Sequence, residues 1–141
     1  MTKRIGFISL ILAVFTQAAS AQTLAVCGAS SGYAYFPAVG LVTEDQSGWA
    51  EDGISDGGIM LLRDGDAYDI VYTDAVGGRS ARADGFEVIG FPTSTGVLVL
   101  TMSSVTAETY HFDIENRQLA WTQNKFDAPI NKVAAFVSDC E

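Results

Sequence analysis

The stretch Ala107-Glu108-Thr109-Tyr110-His111-Phe112-Asp113-Ile114-Glu115-Asn116-Arg117-Gln118-Leu119-Ala120-Trp121-Thr122-Gln123-Asn124-Lys125 decides the fold class. Tyr110, Phe112 and Ile114 alternate with Thr109, His111 and Asp113, the period of a strand with one apolar and one polar face. Leu119 and Trp121 continue the same spacing after Asn116-Arg117. A two-residue turn at Asn116-Arg117 pairs Ile114 with Leu119, Phe112 with Trp121 and Glu108 with Lys125, so apolar residues meet across the ladder. Arg117 suits the positive φ of a type I′ turn poorly, which leaves a four-residue loop open.

Outward from this hairpin the pattern repeats. Asp64-Gly65 is a strong turn pair, and it joins Ile59–Leu62 to Tyr68–Tyr72 with Ile59 facing Ile70 and Leu61 facing Tyr68. Phe86–Phe91 and Val97–Met102 flank the loop Pro92-Thr93-Ser94-Thr95-Gly96. Val97-Leu98-Val99-Leu100 lacks alternation and reads as a strand buried on both faces near the middle of the sheet. Leu24–Cys27 and Lys132–Cys140 read as the opening and closing strands. No stretch of twelve residues has helical periodicity. The expectation is an all-β domain, a single antiparallel meander of about 7–8 strands closing into a small barrel or sandwich. Residues 28–58 mix glycine, aromatics and acids and give no clear element.

The front of the chain has a different character. Lys3 and Arg4 precede the apolar run Ile5–Phe15, and Thr16-Gln17-Ala18-Ala19-Ser20-Ala21 ends in a small-x-small pattern. That is the order of a secretory signal, with cleavage expected after Ala21. The run is well short of the roughly 20 residues that span a bilayer, so stable membrane insertion is not expected. Leu24-Ala25-Val26-Cys27 is a poor site for bacterial lipidation, because Val26 stands where a very small residue is needed. The organisation expected is a signal peptide over 1–21 and one β domain over 22–141, exported to the periplasm or secreted.

Both cysteines, Cys27 and Cys140, fall in the exported part near its ends. One intramolecular pairing exists, and an oxidising compartment favours it. A disulfide there requires Cα atoms within about 7 Å, so the first and last strands should be neighbours. In the chain-entropy picture a loop of about 100 residues closed this way contributes about 4.7 kcal/mol. Pairing also removes both cysteines as metal ligands or nucleophiles.

The chain carries 17 acidic and 8 basic residues, a formal charge of −9. Loss of Lys3 and Arg4 with the signal takes this from −9 to −11. Such an excess disfavours nucleic acid and anionic membranes as partners and leaves a basic protein or a small molecule open. No cofactor is implied.

Candidate chemistry is sparse. Gly28-Ala29-Ser30-Ser31-Gly32 spells the G-x-S-x-G of a nucleophile elbow, but the elbow needs a parallel α/β sheet and a histidine base. The chain has one histidine, His111, on the polar side of an antiparallel strand. A Gly/Ser turn after the first cysteine is the simpler reading. A zinc site lacks ligands, and EF-hand spacing fails at Asp69, where glycine is required. The acids Glu51, Asp52, Asp56, Asp64, Asp66, Asp69 and Asp74 read as turn formers. Tyr33, Tyr35 and Trp49 are candidate ligand-binding residues, because such side chains offer rigid area with a polar tip. Phe36 lies among them.

In size, export and β-richness the chain resembles the periplasmic inhibitors of lysozyme, some of them disulfide-bonded; no inhibitory loop motif carries a residue role across. Its reading is a non-catalytic binding or accessory domain. The rival readings are a small hydrolase using Ser30 or a carboxylate pair, and a calcium-stabilised structural module.

Overall fold

The structure, a computed structural model, describes residues 20–141. Ten strands run β1 Gln22–Phe36, β2 Gly48–Ile54, β3 Gly58–Asp64, β4 Ala67–Asp74, β5 Gly77–Ser80, β6 Glu87–Pro92, β7 Gly96–Met102, β8 Thr106–Asp113, β9 Gln118–Lys125 and β10 Lys132–Cys140, with one short 3-10 turn at Glu44–Gln46. All pair antiparallel in one sheet of order β5-β4-β3-β1-β10-β9-β8-β7-β6, with β2 paired to β1 beyond the end of β3. The sheet curls into a half-barrel. Strands β6 to β10 and β3 to β5 are two meanders, and β1 joins them.

The strand count exceeds the expected 7–8 because β2 and β5 were invisible in the sequence. Each is rich in glycine, and β2 carries two acids where a strand pattern would show apolar residues. Pairing to β1 and β4 holds them extended; β-propensity is weak against such context. The opening strand is also longer than expected. It continues past Cys27 to Phe36 through a bulge between Cys27 and Ser30, so the G-x-S-x-G stretch is bulged strand and not a turn.

Cys27 and Cys140 sit opposite one another on β1 and β10, bonded, with Cα atoms 3.9 Å apart. The first and last strands are neighbours, as the pairing required. The expected signal peptide, except its last two residues, lies outside the described residues. Among the described residues no helix is long and apolar enough to cross a membrane.

Both hairpins form, each with its register moved by two residues. In β8–β9 the pairs are Phe112 with Leu119, Tyr110 with Trp121 and Glu108 with Gln123. The connection is the four-residue loop Ile114–Arg117. Asp113 stabilises it by accepting from the Asn116 backbone N–H (3.1 Å) and side-chain amide (2.8 Å), and Arg117 takes φ 54°. Ile114, expected inside, is 40% exposed in that loop. In β3–β4 the turn residues are Gly65-Asp66, with Leu61 opposite Ile70 and Ile59 opposite Tyr72. Gly65 has φ 59°, the positive value that the first central position of a II′ turn demands. A shift of two preserves which face each side chain takes, so Tyr110, Phe112, Leu119 and Trp121 still point inward.

The interior is filled by an aromatic stack, Phe112, Tyr110, Trp121 and Phe136, with successive centroids 6.2, 5.5 and 4.3 Å apart. Val97 and Val99 join it, while Leu98 and Leu100 are only half-buried on the outer face. β7 is next to the edge of the sheet, not near its middle, and the single curled sheet has no second layer over its outer face among the described residues. Where the curled sheet brings β4 towards β6, Arg82 donates to the Tyr68 carbonyl (2.8 Å) and the Val88 carbonyl (2.7 Å). The Tyr68 ring fills the space over Gly90 there, where a Cβ would stand 2.1 Å from it.

Candidate functional site

Alternation along each strand assigns one set of side chains to the core and the other to the outer face. Near the second half of β1 the outer face is concave. Thr109 and His111 of β8, Ala120 and Thr122 of β9, Ala135 and Val137 of β10, Tyr33 of β1 and Glu51 of β2 line a groove of about 1100 Å³. Alanine and threonine make its floor. A neighbouring recess of about 430 Å³ shares Thr109, Thr122 and Ala135 and is bounded by Trp49, Met102 and Val133.

The three aromatic candidates meet on this face. Tyr35 and Trp49 face each other across the β1–β2 ladder with ring centroids 5.6 Å apart. Trp49 is 71% exposed and Tyr33 57%. The Tyr33 hydroxyl donates to Glu51 Oε1 at 3.4 Å. Phe36 instead packs against the core. The segment 28–58, which showed no pattern, therefore supplies one wall of a groove, with aromatic rings turned to solvent.

His111 projects from the same outer face, while Ser30 points to the core side of β1. The sheet separates the two. Ser30 Oγ is buried and, among the described residues, has no hydrogen-bond partner and so no base in hydrogen-bond contact. Two of the acids read as turn formers accept backbone hydrogen bonds, Asp74 at the end of β4 and Asp69 within that strand. Asp74 accepts from the Val76 and Gly77 amides at 2.8 and 3.1 Å, and Asp69 accepts from the Ile70 and Arg82 amides at 2.9 and 3.2 Å. Among the described residues no group of three or more His, Cys, Asp or Glu side chains could hold a metal ion.

A second polar constellation escaped the sequence reading. Glu108, 7% exposed, lies inside the half-barrel. Its Oε2 accepts from the hydroxyls of Tyr72 (2.7 Å), Thr101 (3.1 Å) and Tyr110, and its Oε1 accepts from Gln123 Nε2 at 2.6 Å. The Tyr72 and Tyr110 hydroxyls are 3.0 Å apart. Burial, and then the Glu108 charge, push the hydroxyl pKa of both tyrosines well above the ordinary value. One signal in the sequence pointed here: Glu108 has the parity of Tyr110 and Phe112, so it had to face inward. The true register opposes it with Gln123, a donor, where the expected one supplied Lys125.

Compared with protein-family models, with curated proteins and with solved structures, the chain gives no match in any of the three.

Proposed function

We propose that this protein is an exported, non-catalytic binding domain, and that its ligand seats in the outer groove against Tyr33, Tyr35 and Trp49. The observation that carries this reading is the exposure of three aromatic side chains on one face beside a concavity of about 1100 Å³. Large aromatic area left in water is unfavourable, and contiguous apolar patches beyond a few hundred Å² are uncommon on monomers unless they bind something. Fixed strands carry all three rings, so little ordering remains to oppose binding. The disulfide agrees with an oxidising, extracytoplasmic setting, where such a domain would act.

The test compares wild type with Tyr33→Ala and Trp49→Ala as immobilised baits in envelope or secreted extract. Both side chains are exposed, so thermal stability should stay near that of wild type. The bound species should be lost or weakened at least tenfold, the scale of an aromatic anchor worth about 2 kcal/mol. Equal recovery by wild type and both variants would remove the groove from the reading.

A further inference from the structure

Strand β2 pairs with β1 along its whole length on one side and, among the described residues, with no strand on the other. The cause lies in β4. It covers β3 from Asp64 to Gly58 and then turns away, because the Asp74 carboxylate caps the turn into β5. The covering strand thus stops where β2 begins. The other edges are protected: Arg82 ties β6 to β4, and β5 is only four residues long.

Proteins usually blunt an open edge with lysine, proline or a bulge. The sequence Gly48-Trp49-Ala50-Glu51-Asp52-Gly53-Ile54 has no lysine or proline, and its ladder to β1 is unbroken. Its charge has one sign. Residues 5–62 contain no lysine, arginine or histidine. Asp52 is answered from β10 by Lys132 at 2.6 Å, while among the described residues no cation lies within ion-pair distance of Glu51. Glu51 is the middle residue of β2, so an antiparallel pairing of two copies centred on this strand would set Glu51 against Glu51. That arrangement is unfavourable for like charges directly opposite.

We propose that the β2 edge receives an extended segment of a basic partner protein as an added strand. Main-chain hydrogen bonds supply the affinity in such pairings, and alternate side chains supply the selectivity. On the outer face a lysine or arginine of the added strand meets Glu51, and its apolar neighbour two residues on lies beside Trp49. The inference rests on the binding-face reading, since Trp49 and Glu51 belong to that face.

The experiment uses the full disulfide-bonded protein and three synthetic peptides. One alternates valine and lysine, the second replaces lysine with glutamate, and the third is the lysine peptide N-methylated at alternate backbone positions. Amide hydrogen exchange and tryptophan fluorescence are followed during titration. The valine–lysine peptide should slow exchange at least tenfold within residues 48–54, and Glu51→Lys should weaken its binding at least tenfold. The glutamate and N-methylated peptides should do neither. Equal binding of the N-methylated peptide, or binding without slowed exchange in 48–54, overturns strand addition. If fluorescence changes without that protection, the groove survives and the edge fails. If β2 is protected while Tyr33→Ala and Trp49→Ala leave affinity unchanged, the groove fails and the edge survives. A free protein that dimerises with 48–54 already protected replaces the partner with a second copy.

Discussion

Glu108 brings a carboxylate into the half-barrel with no cation within ion-pair distance among the described residues, and neutral donors alone solvate it. Taking the acceptor away strands buried donors, each at about 1–3 kcal/mol. Glu108→Ala should therefore lower unfolding free energy by about 3 kcal/mol or more in urea titration, and a loss below about 1 kcal/mol would show the cluster to be dispensable. The two tyrosines add a pH dependence whose sign is fixed. Their folded pKa values are raised, so the folded state keeps protons that the unfolded chain sheds near pH 10. Their contribution is complete below about pH 10 and is lost as pH climbs above it. Phenolate absorbance from Tyr72 and Tyr110 should appear together with loss of near-ultraviolet dichroism, and Tyr72→Phe should flatten the alkaline decline. Smooth ionisation of all five tyrosines in an intact fold would contradict this. Only the inward parity of Glu108 was readable from the sequence; its partners were not. Tyr72 and Glu108 are 36 residues apart, and only the curl of the sheet brings them together.

Among the elements, the hairpins show how far a pattern can be trusted. Parity identified the inward set correctly in β3, β4, β8 and β9, because period-2 alternation depends on burial alone. Register depended on local detail that parity does not contain: the Asp113 carboxylate closing a four-residue loop, and Gly65 taking the first turn position. Asn116 holds the Asp113 carboxyl below its ordinary range, so this loop closure is present above the unfolded value near pH 4 and is lost as pH falls through the folded one. β2 and β5 left no pattern because partner strands, and not their own residues, keep them extended. At the seam, Gly90 is the element-scale weak point. A Cβ there meets the buried Tyr68 ring at 2.1 Å, and overpacking of this kind costs about 1–3 kcal/mol. Gly90→Ala should lower the melting temperature by several degrees, whereas Gly28→Ala, which meets no atom within 4 Å, should cause less change. Equal effects would argue against tight closure between β4 and β6.

For the whole molecule, the cysteines were the most legible feature of the sequence. Two residues with one possible pairing specified which strands had to be neighbours, and β1 and β10 are. The proposed binding face was legible only as a list of aromatic residues. Their convergence needs β1 to run on past Cys27 and β2 to pair with that extension, neither of which the sequence announced. Reducing the bond should cost about 2–5 kcal/mol if the loop-closure picture holds. Denaturant titration of Cys27→Ala/Cys140→Ala measures it, and a loss under about 1 kcal/mol would mean that strand pairing alone fixes the ends.

The position of that bond also sets a path for mechanical load. Tension applied outside Cys27 and Cys140 passes from one flank to the other through sulfur, and the 113-residue separation between them is shielded. The oxidised domain then behaves as an inextensible bead when pulled. Reduced, it would pay out on the order of 400 Å of chain, so thiol state alone would decide whether this protein stretches.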